Sequence, residues 1–293
     1  MTGSSLSLAQ CQMKILMNQN TTVNNTSADA TLNSAPIFEC ILYDVKDSLA
    51  LITINRAEKH NAISLQTLSE LQQAVDLAAA DETVRVIGIT GAGGRAFASG
   101  SDLNEVMHRD LKKALEPIVQ GLALQLENLP KPTIAAIDGI CMGGGLEVAL
   151  GCDMRICSKG SRFGTPEGKL GIIPGGGATV RLPRIVGRGW AMEMMLMGEP
   201  ISAEHALQIG LVTCVTEVDQ LMVELARRAA HLATFAPFVP QFMKLMIHKG
   251  MEGSKEAALT MEKIGQGALL QTDDKNEGID AFLNKRKPTF TGK

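Results

Sequence analysis

From residue 37 onward, short apolar runs alternate with longer amphipathic stretches along the chain. The runs that predict strands are rich in apolar and β-branched residues and cover residues 49–55, 84–90 and 133–138. The stretches that predict helices repeat apolar residues at the helical period and cover residues 64–80, with Ser64 as N-cap, and 111–129. Strands that alternate with helices favour crossover βαβ units, so the pattern predicts an α/β fold.

Both ends of the chain depart from this alternation. After about Leu221 the signals are almost all helical and continue through residues 281–287. Residues 1–36 are rich in Ser, Thr and Asn, nearly uncharged and without apolar periodicity, so they cannot bury enough apolar area to offset the entropy lost on ordering. This segment also lacks the apolar stretch of a secretory signal. We therefore expect a flexible tail at 1–36, an α/β core and a helical C-terminal region.

Composition and charge narrow the class of protein. Of the 293 residues, 45% are hydrophobic and 20% charged, and the net charge of −3 gives no general attraction to nucleic acid or membrane phosphates. No apolar run approaches the roughly 20 residues that span a bilayer. The six cysteines form no C-x-x-C pair and have no histidine spaced nearby, so neither zinc nor a disulfide framework is indicated. We expect an intracellular protein of the cytoplasm or an organelle matrix, without a metal, a nucleic-acid partner or a membrane span.

One segment has the spacing of a dinucleotide-binding fingerprint. Gly91, Gly93 and Ala96 follow a predicted strand at the intervals of that motif. A nucleotide-binding glycine loop must open a long helix, whereas the sequence FASGSD at 97–102 interrupts any helix there. We interpret the segment as a loop that serves another purpose.

Two glycine-containing loops are candidates for backbone hydrogen-bond donors. Gly100 and Ser101 lie at a predicted turn, and the three glycines at 143–145 open a predicted helix, whose positive dipole end points outward. Two amides from separate loops are what an oxyanion hole requires. Either glycine cluster alone would indicate only a tight turn.

Two glutamates lie beside glycine-rich stretches. Glu147 is in the first turn of the helix after residues 143–145, among apolar or small neighbours. Glu167 follows Pro166 in a stretch that cannot be regular helix and that leads to three more glycines at 175–177. A desolvated carboxyl group can have its pKa raised toward neutrality, which suits general acid–base catalysis. Taken singly, Glu167 could be an exposed turn residue and Glu147 a carboxylate at a helix dipole.

Several longer segments resemble the successive signatures of one family. In chain order they read LITINRAEKHNAIS (51–64), AFASGSDL (96–103), KPTIAAIDGICMGGGLEVALGCDMRI (131–156), FGTPEGKLGIIPGGGATVRLPRIVG (163–187), GEPISAEHALQIGLV (198–212) and EGIDAFLNKRKPTF (277–290). Over about residues 38–290 the chain resembles the enoyl-CoA hydratase/isomerase (crotonase) superfamily. The resemblance is specific because several long motifs agree at once.

The resemblance implies a fold and an assembly. That family folds as a spiral of ββα units, which here would occupy residues 37–230. A C-terminal helical region, here 231–293, helps to form homotrimers, which often pair into hexamers as dimers of trimers. The family binds acyl-CoA thioesters and uses no metal or redox cofactor, because coenzyme A is part of the substrate.

The resemblance to the hydratase branch also implies residue roles. Glu147 would be the base that activates water for attack at C3, and Glu167 the acid that protonates C2. The amides of Ser101 and Gly144 would form the oxyanion hole, and the Gly175 amide would help to hold the water. The residues implied to line the coenzyme A channel are Lys59, Ala62, Ser99, Leu103, Phe282 and Lys285.

Departures from the family pattern leave the catalytic pair intact. Asn104 stands where some hydratases have a lysine, which puts one contact with a coenzyme A phosphate in doubt. Ala178 and Val180 replace the usual Gly and Gln of the pattern GGTQRL, which could reshape the acyl pocket. Ser101 replaces a common alanine, but only its backbone is required.

Two other functions compete with hydration as interpretations of the sequence. A Δ3-Δ2 enoyl-CoA isomerase, or an enzyme of another crotonase reaction, usually keeps one acid or moves it, so the presence of both Glu147 and Glu167 favours the hydratase. A crotonase-fold protein that binds RNA or serves as an assembly partner would want a lysine-rich exposed helix, but residues 64–80 contain no Lys or Arg. The complete acid, base and glycine set also argues against a pseudoenzyme.

Overall fold

The computed structural model describes residues 37–293, so the tail predicted for 1–36 lies outside the described residues. The strands are β1 (Ile41–Lys46), β2 (Leu49–Ile54), β3 (Val86–Gly91), β4 (Ala96–Ala98), β5 (Thr133–Ile137), β6 (Ile140–Met142), β7 (Met154–Ser158), β8 (Arg162–Gly164), β9 (Ile201–Ser202) and β10 (Val215–Thr216).

The α-helices of the described residues follow the strands along the chain. They are α1 (Leu65–Ala80), α2 (Leu103–Met107), α3 (Leu111–Ala114), α4 (Ile118–Asn128), α5 (Gly144–Gly151), α6 (Ala178–Met197), α7 (Ala203–Gln208), α8 (Leu221–Ala233), α9 (Phe238–Glu252), α10 (Lys255–Leu269) and α11 (Asp273–Leu283). Between residues 37 and 293, none of these helices combines the length and the hydropathy that a membrane crossing needs.

The strands form two sheets, and successive turns of the chain contribute to both. The larger sheet has the order β1-β2-β3-β5-β7-β10 and the smaller one β4-β6-β8-β9. Pairing is parallel except for the β1–β2 hairpin and the β8–β9 pair. Because β3, β5 and β7 lie in the larger sheet and are followed by β4, β6 and β8 in the smaller one, the chain winds as a spiral. This confirms the crotonase-like α/β fold predicted from the sequence.

The C-terminal part is helical, as the periodicity predicts. Four helices, α8 to α11, occupy almost all of the chain after Leu221. The last one ends at Leu283, and Lys285 has a left-handed φ of 53°, so the helix predicted through residue 287 is too long by one turn. The domain boundary near residue 230 stays a prediction.

Helix predictions in the core are mostly confirmed. The helix predicted at 64–80 is α1, and the Ser64 side chain caps it by accepting a hydrogen bond from the Thr67 amide at 3.1 Å. The single helix predicted at 111–129 is wrong, because the structure has α3 and α4 with a break before Pro117. Proline disfavours helical conformation in the residue before it, so the break follows from Pro117 itself.

Helix α5 is buried along its whole length between its neighbours. Its glycines allow this close packing at two positions. A Cβ at Gly145 would lie 2.6 Å from the Cβ of Ala98 in β4, and a Cβ at Gly151 would lie 2.7 Å from the Cα of Ala123 in α4. The absence of side chains at these two residues therefore fixes where α5 begins and how deeply it sits.

We expect Gly145→Ala to destabilise the protein by about 1–3 kcal/mol, because the added methyl group overlaps the β4 backbone. Gly189→Ala in α6 is the matched control, since a Cβ there meets nothing within 4 Å. The control should be neutral or stabilising by up to about 1 kcal/mol, the helix-propensity difference. Urea unfolding curves of the two variants would test this, and equal midpoints would contradict it.

Candidate active site

The start of α5 depends on a glycine in an unusual conformation. Gly143 has φ 48° and ψ −126°, a region that other residues rarely adopt, and its amide donates to the Gly164 carbonyl at 3.0 Å. A Cβ on Gly143 would lie 2.9 Å from Oε1 of Glu167. This glycine therefore turns the chain into the helix and leaves room for the second glutamate.

Two backbone amides meet at this point from separate loops. A Cβ at Gly144 would lie 3.3 Å from the Ser101 nitrogen, so the loop after β4 and the first turn of α5 are in direct contact. The Ile63 amide donates to the Gly100 carbonyl and the Asp102 amide to the Ile63 carbonyl, both at 2.8 Å, which leaves the Ser101 amide between them. Within residues 37–293, neither the Ser101 nor the Gly144 amide has an acceptor. The structure thus brings the two predicted oxyanion donors together.

A buried polar network fixes the loop that carries Ser101. Asn61 is fully buried with a left-handed φ of 55°, and its Nδ2 donates to the carbonyls of Ala92 (2.9 Å) and Ala96 (2.6 Å). Its Oδ1 accepts from the Arg56 amide at 2.9 Å, and Arg56 forms an ion pair with Asp102 at 3.4 Å. The sequence NRAEKHNAIS signals a loop, but sequence reasoning assigned no role to Arg56 or Asn61.

Glu147 lies inside the protein with two backbone donors on one oxygen. Its side chain is 3% exposed, and Oε1 accepts from the amides of Gly176 at 2.6 Å and Ala178 at 3.1 Å. Burial raises the pKa of Glu147, and the amide hydrogen bonds and the charge of Arg181 offset part of that rise. Burial and these neighbours therefore act on the pKa of Glu147 in opposite directions, and burial has the larger effect.

Glu167 has fewer hydrogen-bond partners than Glu147. It lies on the 3-10 helix Pro166–Leu170, is 9% exposed, and its buried Oε2 has no hydrogen-bond partner among the described residues. Burial raises the pKa of Glu167, and the negative charge of Glu147 raises it further. The two carboxyl groups are thus close enough to interact.

Gly175 is the predicted residue whose role the geometry leaves open. It is exposed, and a Cβ there would meet nothing within 4 Å. The amides that contact Glu147 belong instead to Gly176 and Ala178, one and three residues later. The water-positioning role of Gly175 stays a prediction.

The residues predicted to line the coenzyme A channel fall into two groups. Four lie on the two segments that hold Ser101 in place, which include the end of the 3-10 helix Ala57–Lys59 and the first residue of α2; these are Lys59, Ala62, Ser99 and Leu103. Phe282 and Lys285 lie at the end of α11, where Phe282 is 83% exposed. In the described part of the chain, no hydrogen bond or ion pair joins this helix end to the residues around Glu147.

Comparisons with known proteins identify the family of this chain. The family model for enoyl-CoA hydratase/isomerase matches residues 44–293. Crotonyl-CoA hydratase of Syntrophomonas wolfei is 35% identical over 258 residues, covering 87% of this chain and 99% of that protein. The 2,3-dehydroadipyl-CoA hydratase of Escherichia coli K12 is 39% identical over 243 residues, covering 83% and 95%.

A solved structure shows the same similarity in three dimensions. The crystal structure of enoyl-CoA hydratase from Bacillus anthracis is 35% identical, has a TM-score of 0.84, and covers 87% of this chain and 100% of that one. The chain belongs to the enoyl-CoA hydratase/isomerase (crotonase) family. Its relatives at 35–39% identity include enoyl-CoA hydratases.

We expect Glu167→Gln to raise the stability of the folded protein at pH 7. A carboxyl group with a raised pKa binds its proton more tightly in the folded state, so stability is lost as the pH rises above the unfolded value of about 4.3. The gain should therefore disappear as the pH is lowered through that value. Thermal melting from pH 3.5 to 8 would measure it, with the exposed Glu193→Gln as control. Equal melting temperatures for wild type and Glu167→Gln at pH 7 would contradict the prediction.

Proposed function

We propose that the protein is an enoyl-CoA hydratase, which adds water reversibly across the double bond of a trans-2-enoyl-CoA thioester. One observation carries the proposal: two buried, interacting carboxyl groups lie beside two amides that have no acceptor in the described residues. Hydration needs a base for water, an acid for carbon and donors for a thioester oxygen, and this site offers all three. The hydratase names of the relatives point the same way.

Each group has a place in the proposed reaction. The ionised Glu147 removes a proton from water, and the resulting hydroxide bonds to C3 while the electrons of the double bond move toward the thioester. The amides of Ser101 and Gly144 stabilise the negative oxygen, each by roughly 100- to 1,000-fold in rate. Protonated Glu167 then donates its proton to C2. One proton enters on Glu147 as another leaves Glu167, so water exchange must restore the pair after each turnover.

The two carboxyl groups suit different protonation states. Glu147 accepts two amide hydrogen bonds, which favour its charged form. Glu167 has an oxygen without a partner in the described residues and feels the charge of Glu147, which together favour its neutral form. Environments that favour opposite protonation states in two neighbouring carboxyl groups suit one to act as base and the other as acid.

The remaining contacts of the substrate follow from the family resemblance. Lys59, Ala62, Ser99 and Leu103 border the Ser101 loop and would contact the pantetheine and phosphates. Phe282 and Lys285 would contact coenzyme A from the exposed end of α11. We propose no cofactor beyond the coenzyme A of the substrate, and Gly175 as the donor that helps to hold the water. Location in the cytoplasm or an organelle matrix stays a prediction.

The hydratase proposal predicts rapid loss of the unsaturated-thioester absorbance when the protein meets crotonyl-CoA. Glu147→Gln and Glu167→Gln should each lower kcat by about 100- to 10,000-fold, because each removes a proton-transfer group. Glu193→Gln on the surface of α6 is the matched control and should keep full activity.

Two outcomes would contradict this proposal. If only one glutamate variant lost activity and a 3-enoyl-CoA reacted faster than crotonyl-CoA, the protein would be an isomerase. If the wild type turned over no acyl-CoA, the site would belong to a binding protein.

We also propose that the chain assembles as a homotrimer, or as a hexamer made of two trimers. A cavity of about 540 Å³ opens between α6, α8 and α9, and large apolar side chains remain exposed on the C-terminal helices, including Met243, Ile247, Met251 and Ile264. Exposed apolar patches of this kind mark protein–protein contacts. A second copy would cover them.

The assembly proposal predicts that sedimentation equilibrium gives a mass three or six times that of one chain. Ile247→Glu should reduce it, because the added charge would be buried at the interface. The matched control is Val218→Glu, at an exposed residue of the 3-10 helix Val218–Gln220 before α8. A monomeric wild type at micromolar concentration would overturn the proposal.

A further inference from the structure

Arg181 and Glu127 form a bidentate ion pair behind the candidate active site. Nε and one terminal nitrogen of Arg181 donate to the two carboxylate oxygens of Glu127 at 2.7 and 2.8 Å. Their side chains are only 11% and 22% exposed. The pair joins the first turn of α6 to the end of α4, and the proposed mechanism uses neither residue.

The remaining terminal nitrogen of Arg181 reaches the loop that contacts Glu147. It donates to the Gly176 carbonyl at 3.0 Å, while the Gly176 amide donates to Glu147 at 2.6 Å. Gly177, with a left-handed φ of 109°, has no room for a Cβ because the guanidinium group lies against it. An unbroken series of hydrogen bonds therefore runs from Glu127 through Arg181 and Gly176 to Glu147.

We propose that Arg181, oriented by Glu127, is a positioning residue that holds the Gly176–Ala178 amides against the Glu147 carboxylate. The inference rests on the proposed hydratase function and extends it to a residue without substrate contact. The planar guanidinium binds Glu127 with one edge and the Gly176 carbonyl with another nitrogen, a geometry that lysine cannot reproduce. The ion pair thus fixes the loop rather than supplying charge alone.

The charged groups around Glu147 are few. Arg181 acts on Glu147 from α6, and Glu167 interacts with it from the 3-10 helix. The residue of α4 that lies nearest Gly176 is the apolar Val119. The charged residue of α4, Glu127, forms its ion pair with Arg181. Substitutions at 127 and 181 therefore change the charge near Glu147 in opposite directions.

Arg181→Gln should lower kcat for crotonyl-CoA by about 10- to 100-fold while KM changes less than about threefold, the size expected when support behind a reacting group is lost. It should also move the acidic limb of the kcat profile to higher pH, because a cation that favours ionised Glu147 is gone. Arg181→Lys keeps the positive charge but cannot bind Glu127 and the Gly176 carbonyl at the same time in this geometry. Its acidic limb should therefore stay near that of the wild type while kcat falls.

Glu127→Gln leaves Arg181 charged but weakly oriented, so it should lower kcat without moving the acidic limb to higher pH. Because Glu127 acts through Arg181, the double variant should have the kcat of Arg181→Gln alone. Arg184→Gln is the matched control, since Arg184 is an exposed arginine of the same helix that bonds only the Val180 carbonyl among the described residues. Its kcat should stay within twofold of the wild type.

A second readout does not depend on turnover. Infrared titration of the full-length protein, with the Glu147 band identified by its loss in Glu147→Gln, should show a higher carboxyl pKa in Arg181→Gln than in wild type. If Arg181→Gln does not fold, Arg181→Lys and Glu127→Gln still test the positioning role, because each should lower kcat without moving the acidic limb to higher pH.

Unchanged kcat and an unchanged Glu147 titration in the folded variants, or a loss confined to melting temperature or KM, would overturn the positioning role. This failure is distinct from that of the hydratase proposal. If only the positioning role fails, the wild type and the Arg181 and Glu127 variants hydrate crotonyl-CoA at the same rate. If the hydratase proposal fails, the wild type does not hydrate crotonyl-CoA, but the infrared titration still reports whether Arg181 acts on Glu147.

Discussion

The close approach of two backbone segments is the constraint on which the site depends. Residues 143–145 lie against β4 and the loop that follows it, at distances that leave no room for a Cβ at Gly145. Because of that contact, the Gly144 and Ser101 amides share one space and α5 enters the interior with Glu147 in its first turn. A side chain at the contact would separate the amides and shift Glu147, the proposed base, at the same time, so glycine here serves the proposed chemistry as well as packing.

Burying two carboxyl groups side by side is unfavourable in free energy, and the fold compensates Glu147 with more partners than Glu167. Glu147 receives two amide hydrogen bonds and the field of Arg181, whereas Oε2 of Glu167 has no partner in the described residues. An unpaired buried oxygen is a few kcal/mol less stable than a bonded one, and protonation relieves part of that penalty. The unequal hydrogen bonding that reduces stability therefore also gives the two glutamates different tendencies to hold a proton. Such local costs are expected where a protein has a function to perform.

How much the sequence could predict depended on the range of each interaction. Ser64 as a cap and Glu147 in the first turn of α5 are local signals, and they matched the structure. The break before Pro117 was also local, but the apolar periodicity across 111–129 obscured it. The roles of Glu127 and Arg181 could not be read from the chain, because the two residues meet only after α4 and α6 pack, and a single charged residue in a helix looks like any solvated one.

The spiral winding has a consequence for how the protein reaches its active form. Its parallel strand pairs join distant parts of the chain, as Ile87 with Thr133 and Cys157 with Val215. Non-local pairs require loop closure before they stabilise anything, and chains rich in them fold slowly. Ser101 follows β4 and Gly144 follows β6, so the proposed oxyanion hole requires these two turns of the spiral to pair in the smaller sheet. We therefore expect the proposed site to form only after these turns have paired, and a partly wound chain to leave apolar strands exposed to aggregation.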